Sequence, residues 1–290
     1  MTTTIIGVGL IGGSIALEVR HAGMADRILG VDNNPEHAAQ AVALGLVDEC
    51  LPLDDAVAQS DMVIVATPVG TAVGLLPHVL DIVPDSCAVT DVGSTKVMIC
   101  DAIREHPRRS RFVASHPLAG TENSGPSAAF RGLFRDKLGI LCELGLSAAD
   151  ATGRIRDLYG ALGMRLLFME ADEHDRHAAY VSHISHITSF VLATTVLEIE
   201  KSTATIFDLA STGFESTVRL AKSSPAMWTP IFIQNSRFVC EALDAYIKNI
   251  TAFRDMVAAG EREDLTRTME GANEIRRVLA GISGKQQRAN

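Results

Sequence analysis

Three apolar stretches of the sequence end in polar residues that could do chemistry: AlaThrPro at 66–68, AspValGlySerThrLys at 91–96 and SerHisPro at 115–117. The imidazole of His116 has an ordinary pKa close to neutrality, so it could be a general base or a buried ring that holds a loop. Ser94 could orient that ring or bind substrate, or it could cap a helix. For Lys96 we expect a solvent-exposed lysine in a first helical turn rather than a contact to a cofactor or substrate anion.

A second group of polar residues lies in the stretch YVSHISHIT. His183 and His186 are three residues apart and Ser182 lies four residues before His186, so the three side chains share one face of a helix. Two close histidines could bind a metal ion, but no carboxylate or cysteine at ligand spacing accompanies them. We therefore expect substrate contacts here and no metal site.

The stretch FESTVRLAKSSPAMW contains the third candidate group. Arg219 could pair with a substrate carboxylate through its planar guanidinium, or it could form a surface ion pair with Glu215 four residues earlier. Trp228 is the only tryptophan of the chain, and it could form a pocket wall or pack at a dimer interface.

The glycines near the N-terminus indicate a nucleotide site. Gly7, Gly9 and Gly12 form a GxGxxG motif that follows a predicted strand and opens a predicted helix, and Asp32 ends the next strand. In this motif the glycines allow a tight turn, a close approach to pyrophosphate and close helix packing, while the acidic residue accepts ribose hydroxyls and repels a 2′-phosphate. NAD is therefore preferred over NADP. The predicted cofactor site comprises Gly7, Gly9, Leu10, Ile11, Gly12, Asp32, Thr67 and Pro68.

The predicted secondary structure changes along the chain, from alternating strands and helices to helices alone. Apolar runs at 3–8, 27–32, 61–69, 87–93, 111–116, 139–144 and 165–170 predict strands, alternating with helices such as 36–45 and 71–82. Several runs are continuously apolar, which is typical of a doubly wound α/β sheet covered on both faces. From about residue 171 only helices are predicted, over 172–200, 225–258 and 261–280.

These patterns predict two domains, an NAD-binding domain over residues 1–170 and an all-α domain over residues 171–290. The predicted helices of the second domain are apolar for so small a bundle. A second copy of the chain would complete their core, so we expect a homodimer in which this domain serves for substrate binding and dimerisation.

The charge of the chain limits its partners. The formal net charge is −9 at pH 7, and the first residues carry no basic segment before an apolar one. Such a protein has no general attraction to nucleic acid or anionic lipid, so we expect a cytoplasmic protein with neither as a partner. The five cysteines follow no CxxC spacing, and we expect them to be reduced, buried packing residues.

The motifs GVGLIGGS, DVGSTK, SHPLAGTE, SHISH and VRLAKSSPAMW, in this order and at these separations, resemble those of the prephenate dehydrogenase family of tyrosine biosynthesis, which includes the arogenate dehydrogenases. The resemblance extends from the first strand to about residue 258. It implies an N-terminal Rossmann domain, a C-terminal helical dimerisation domain and an active site in the cleft between them.

The resemblance also implies roles for the candidate residues. His116 would take the proton from the ring hydroxyl of prephenate while hydride leaves the same carbon for the nicotinamide. Ser94 would hydrogen-bond His116 or that hydroxyl. Arg219 would pair with a substrate carboxylate and His186 would contact the pyruvyl side chain. The residues expected to shape the pocket or its edge are His183, Ser182, Glu122 and Trp228.

One position departs from the family pattern. Ser216 stands three residues before Arg219, where related sequences have an acidic residue, and this puts a gating ion pair and tyrosine feedback in doubt. No regulatory or chorismate mutase segment is apparent, so we expect a monofunctional enzyme. Two alternatives stay open: an arogenate dehydrogenase that gives tyrosine directly, and a catalytically silent NAD-binding protein.

Overall fold

The computed structural model describes residues 1–121, 123–200 and 211–287. The chain forms two compact units, Met1–Ser236 and Arg237–Asn290. All the candidate site residues that the structure describes lie in the first unit, whereas Glu122 lies outside the described residues.

An eight-stranded sheet organises the first unit, and its order is β3-β2-β1-β4-β5-β6-β7-β8. The strands are β1 (Thr2–Ile6), β2 (Arg27–Val31), β3 (Glu49–Cys50), β4 (Met62–Val65), β5 (Ala88–Asp91), β6 (Phe112–Pro117), β7 (Leu138–Cys142) and β8 (Arg165–Met169). The order of the first six strands is that of a doubly wound dinucleotide-binding fold, so the predicted fold class is confirmed. Two details differ from the prediction: β3 is an additional two-residue strand, and β7 pairs antiparallel with β6.

Helices cover both faces of this sheet: α1 (Leu10–His21), α2 (Pro35–Ala43), α3 (Leu53–Val57), α4 (Val69–Ile82), α5 (Val97–Ala102) and α6 (Ala149–Ala161). The central strand β4 shows why its sequence is continuously apolar. Its side chains alternate between the faces, so that Met62 and Ile64 enter one hydrophobic core while Val63 and Val65 enter the other. All four are fully buried, and each contributes roughly 1.5–3 kcal/mol of hydrophobic stabilisation.

A long helix follows the last strand, as predicted for 172–200. It consists of α7 (Ala171–Ala178), a π-helical segment (Ala179–His183) and α8 (Ile184–Glu200). In the described part of the chain it is the one helix whose length and composition would allow it to cross a membrane, and 11% of its most apolar window is buried. A core or interface helix of a water-soluble protein passes the same test, so the expectation of no membrane partner stays a prediction.

The later helices are shorter than predicted. The first unit continues with α9 (Thr212–Val218), a 3-10 helix (Arg219–Lys222) and α10 (Pro225–Gln234), and then α11 (Ser236–Ala259), α12 (Arg262–Ala272) and α13 (Ile275–Gln287) follow. The expectations of one helix over 225–258 and one over 261–280 are therefore wrong. The first is interrupted at Asn235, whose side chain donates to the carbonyl oxygen of Asp175 at 2.7 Å.

The cysteines are free thiols, and three of them, Cys87, Cys100 and Cys142, are buried as expected. Burial raises the pKa of Cys87 and of Cys100 to about 12, so both are un-ionised at neutral pH. Cys240 is exposed and Cys50 is only half-buried, so the expectation of five buried cysteines is wrong for these two.

Candidate active site

The turn between β1 and α1 has the backbone that a bound dinucleotide requires. Gly7 adopts φ +93°, and a Cβ atom there would lie 2.7 Å from the carbonyl oxygen of Ala66. A Cβ on Gly12 would lie 2.1 Å from the carbonyl oxygen of Gly7, whereas a Cβ on Gly9 would meet no atom of the described residues within 4 Å. Gly7 and Gly12 thus allow the tight turn and the close packing of α1, and Gly9 leaves open space beside the helix N-terminus for a pyrophosphate.

Asp32 follows β2 with its carboxylate held by backbone amides. Its Oδ2 accepts from the Val8 N–H at 3.1 Å and its Oδ1 from the Asn34 N–H at 2.9 Å. The side chain is half-buried, so its remaining lone pairs can accept the two ribose hydroxyls of a dinucleotide. A 2′-phosphate at this place would be repelled by the negative charge.

The residues after β4 complete the nucleotide edge of the sheet. Among the residues that the structure describes, the buried Thr67 hydroxyl has no hydrogen-bond partner, which is costly unless a ligand supplies one. Pro68 is exposed and precedes the first residue of α4. On the other side of the turn, Leu10 is buried and Ile11 half-buried in the first turn of α1. The residues present therefore fit a dinucleotide.

His116 lies in β6, close to its carboxyl end, and is half-buried. Its Nδ1 is 2.8 Å from Nε2 of His174, and Nδ1 of His174 is 2.8 Å from Oδ1 of Asp175. Burial lowers the pKa of His116 well below its ordinary value, and positive charge on His174, Lys96 and His183 would lower it further. The ring is thus neutral at physiological pH, as a general base must be.

Ser94 is half-buried between β5 and α5. Within the described residues no hydrogen bond joins it to His116, whose Nδ1 is bonded to His174 instead. Ser94 is also not the cap of α5. The two oxygens of the Asp175 carboxylate accept from the N–H groups of Lys96 and Val97 at 2.7 and 2.9 Å, so the cap comes from a distant helix.

Lys96 is fully buried, so the expectation of a solvent-exposed lysine is wrong. Its ammonium group forms an ion pair with the equally buried Asp91 and donates to the carbonyl oxygen of Ser115 at 2.7 Å. The Asp91 carboxylate also accepts from the N–H groups of Gly93 and Ser115 at 2.8 and 3.1 Å. These bonds hold the strand segment directly before His116 in place.

His183 and His186 lie on the long helix as predicted, in different surroundings. His183 is buried, and its Nδ1 accepts from Nδ2 of Asn235 at 3.1 Å. Burial lowers the pKa of His183 to about 4. His186 is half-buried, and its Nδ1 donates to the carbonyl oxygen of Ser182 at 3.1 Å, leaving Nε2 as an acceptor. Ser182 therefore contacts His186 through its backbone.

Trp228 packs against these histidines of its own chain. Its ring stacks on His186 with centroids 3.6 Å apart and meets His183 edge-on at 6.0 Å. The indole N–H is buried and finds no hydrogen-bond partner within the described part of the chain. The two expectations for Trp228, a pocket wall and packing at a dimer interface, both stay predictions.

Arg219 begins the 3-10 helix after α9 and is exposed. The alternative expectation of an ion pair with Glu215 is wrong, because Glu215 approaches Lys222 at 3.9 Å instead. The positive charge of Arg219 contributes to lowering the pKa of His186, after the larger effect of burial, so the two groups belong to one electrostatic environment. Over the described ranges, no group of three or more possible metal ligands occurs.

Sequence reasoning missed three residues of this site: His174, Asp175 and Asn235. His174 lies 58 residues after His116, and Asn235 lies 60 residues after Asp175, so no spacing indicates that they meet. The only signal that the sequence reasoning could have used for His174 and Asp175 is that the two are adjacent, since their side chains are bonded to each other at 2.8 Å.

Comparison with known proteins identifies the same two parts of the chain. A family model described as the nucleotide-binding domain of prephenate dehydrogenase matches residues 15–167, and one described as its dimerization domain matches residues 170–271. The chain is 32% identical to prephenate dehydrogenase of Bacillus subtilis over 95% of its own length and 75% of the relative. It is 31% identical to cyclohexadienyl dehydrogenase of Zymomonas mobilis, over 95% and 94% of the two chains.

A solved structure supports the same assignment. Prephenate dehydrogenase from A. aeolicus, in complex with hydroxyphenyl propionate and NAD+, superposes with a TM-score of 0.88 at 28% identity, covering 96% of this chain and 98% of that one. The nucleotide-binding turn, the doubly wound sheet and the helices after it thus agree with the comparisons. The chain belongs to the prephenate dehydrogenase family of oxidoreductases.

Proposed function

We propose that this protein catalyses the oxidative decarboxylation of prephenate to 4-hydroxyphenylpyruvate in tyrosine biosynthesis. The observation that carries the proposal is the neutral ring of His116 at the carboxyl end of β6, with Nδ1 engaged by His174. In an open α/β sheet ligands bind beyond the carboxyl ends of the strands, which is also where the nucleotide turn lies. The second ring nitrogen is then available to a substrate hydroxyl.

NAD is the cofactor, held by the turn from Gly7 to Gly12, by the N-terminus of α1 with Leu10 and Ile11, and by Asp32, Thr67 and Pro68. When bound, NAD accepts the hydride from the carbon that carries the ring hydroxyl. The amides on both Asp32 oxygens keep this carboxylate at the ribose position, which supports a preference for NAD over NADP.

In the proposed reaction, His116 removes the proton of the ring hydroxyl. Removing this proton raises electron density at the carbinol carbon as hydride departs, so the base contributes about 10²- to 10⁴-fold in rate. Loss of carbon dioxide makes the ring aromatic, and this makes the overall step strongly downhill. Because Nδ1 of His116 is occupied by His174, we assign Ser94 to the substrate hydroxyl rather than to the ring.

Substrate binding is assigned to the helical residues. Arg219 pairs with a carboxylate of the substrate. Nε2 of His186 faces the pyruvyl side chain of the substrate and forms a hydrogen bond with it, either directly or through a water molecule. The stack of His186 on Trp228 supports an aromatic wall for the cyclohexadiene ring. The residues assigned to the rest of the pocket and its edge are His183, Ser182 and Glu122.

The proposal includes a cytoplasmic homodimer with the boundary between its domains at residues 170 and 171. The helical part matches a family model described as a dimerization domain. On the long helix Val181, Val191 and Leu197 are 77%, 59% and 50% exposed in a single chain, an arrangement that a second copy would cover.

Arogenate is the second candidate substrate, because a relative at 31% identity carries the broader name cyclohexadienyl dehydrogenase. Absorbance at the NADH band decides between the candidates, using purified protein, NAD or NADP, and prephenate or arogenate in all four combinations. We expect the highest kcat/KM with NAD and prephenate. Higher kcat/KM with arogenate would reverse the substrate assignment, and binding of NAD without turnover of either substrate would leave a silent NAD-binding protein.

A further inference from the structure

We propose that His174 is a positioning residue that fixes the tautomer of His116, so that Nε2 of His116 presents a lone pair to the substrate hydroxyl. The inference rests on the proposed role of His116 as the base. It follows from a chain of three side chains, Asp175, His174 and His116, in which each hydrogen bond determines the direction of the next.

The series of hydrogen-bonded side chains begins at Asp175, which is 1% exposed. Its two oxygens accept hydrogen bonds from the N–H groups of Lys96 and Val97. A carboxylate can only accept hydrogen bonds. Nδ1 of His174, 2.8 Å from Oδ1 of Asp175, must therefore carry a proton.

The next link is His174, whose ring is 1% exposed. A neutral imidazole has one protonated nitrogen, so with the proton on Nδ1 its Nε2 is an acceptor. Nδ1 of His116 lies 2.8 Å from that Nε2 and must donate to it. The proton of neutral His116 is then on Nδ1, and Nε2 is left with the lone pair that a base needs. The opposite tautomer of His116 would break its bond to His174.

The same hydrogen-bonded series stabilises the protonated form of His116, after the ring has taken the substrate proton onto Nε2. The imidazolium keeps donating from Nδ1 to His174, and the Asp175 carboxylate lies behind that ring. The other charged or titratable groups that face His116 are Lys96, whose charge is paired with Asp91, and His183. Asp175 supplies the negative charge of this hydrogen-bonded series, and His174 connects it to the His116 ring through the two bonds described above.

The first experiment reads the tautomer directly in the wild-type protein. Histidine side chains labelled with 15N are observed by long-range NMR, and the His116 signals are identified by their loss in His116→Gln. We expect a protonated Nδ1 and an unprotonated Nε2 at neutral pH, with a mixture of tautomers in His174→Phe. A protonated Nε2 in the wild-type ring would overturn the inference. Because the NMR measurement requires no turnover, it tests the tautomer of His116 independently of the proposed function.

The second experiment separates positioning from packing. His174→Phe removes the acceptor and is expected to lower kcat about 10- to 100-fold, less than the full 10²- to 10⁴-fold contribution of a general base, because the His116 ring itself remains. His174→Gln restores an acceptor oxygen for Nδ1 of His116 and is expected to be about 2- to 10-fold faster than His174→Phe. His177→Gln is the matched control, because His177 is exposed on the same helix and its substitution is expected to leave kcat unchanged.

The pH profile of kcat/KM distinguishes the two roles. Protonation of His116 removes activity at low pH, and losing His174 makes the protonated ring harder to form. The acid limb of His174→Phe is therefore expected to move to lower pH. If His174 only packs, the substitution lowers the folded fraction and leaves the limb where it is, and that result would refute the positioning role.

Discussion

Lys96→Met is expected to destabilise the protein strongly, because it removes one partner of a buried ion pair. Lys96 and Asp91 are both 0% exposed, and removing one partner of such a buried pair leaves an uncompensated charge at a cost of about 3–5 kcal/mol. The hydrogen bond from Lys96 to the carbonyl oxygen of Ser115 is lost as well. We therefore expect the free energy of unfolding to fall by roughly 3–5 kcal/mol, and the strand end that carries His116 to loosen.

Urea denaturation followed by circular dichroism measures this change. Arg20→Met is the matched control, because Arg20 pairs with Asp48 at 2.8 Å while both side chains are 39% exposed. Exposed pairs of this kind are worth about 0–1 kcal/mol. The double variant Lys96→Met with Asp91→Asn removes the isolated carboxylate, so it is expected to be more stable than Lys96→Met alone despite the additional substitution.

The reasoning fails if Lys96→Met loses no more stability than Arg20→Met. It also fails if the double variant is less stable than the single one by the full cost of a second lesion. In the first case the buried pair would contribute no more than a surface pair. In the second, Asp91 would act through its bonds to the N–H groups of Gly93 and Ser115 rather than through its charge.

Three further substitutions address the reaction. His116→Asn is expected to lower turnover about 10²- to 10⁴-fold in the NADH assay while leaving the dissociation constant of NAD unchanged, and near-normal turnover would exclude it as the base. Arg219→Gln is expected to raise KM for substrate about 10- to 100-fold with little change in kcat, since it removes a charged hydrogen-bond partner. Ser189→Ala removes a hydroxyl that donates to the Thr217 carbonyl at 3.0 Å and accepts from the Ala221 N–H at 3.1 Å, on either side of Arg219. We expect KM to rise about 2- to 10-fold, with recovery in Ser189→Thr.

The nucleotide site was predictable because its requirements are local. The backbone at Gly7 and Gly12 leaves no room for a Cβ atom, and the chain between them is only one turn and the start of a helix. The sheet was predictable for a similar reason. A strand such as β4 is buried on both faces, and its continuously apolar sequence indicates this burial directly.

The environment of the base was not predictable in this way. Lys96 follows a strand end and precedes a helix, where a lysine is ordinarily solvated. Its direction is determined by Asp91 and by a carbonyl of the neighbouring strand. His174 and Asp175 reach the site from a helix that the chain forms much later, so their role depends on packing that no short sequence pattern records.

The break in the helix after α10 was also not predictable, because it too depends on tertiary contacts. The sequence on either side of Asn235 is apolar with helical periodicity, and by propensity alone it continues as one helix. The side chain of Asn235 instead bonds to the Asp175 carbonyl and to His183, and the backbone at this residue leaves the helical conformation. A local preference was overridden by two tertiary hydrogen bonds.

The π-helical segment Ala179–His183 accommodates one extra residue within the long helix. A π turn contains roughly one residue more than an α turn. Deleting a single residue there would restore regular α geometry and leave the helix beyond it nearly in phase, so that His186 stays near Trp228 and Ser189 near Thr217. Deleting Ile184 instead, where the helix is regular, would rotate the residues beyond it by about 100° and separate both pairs. The long helix therefore tolerates a change of length in this one turn and not in the turn that follows it.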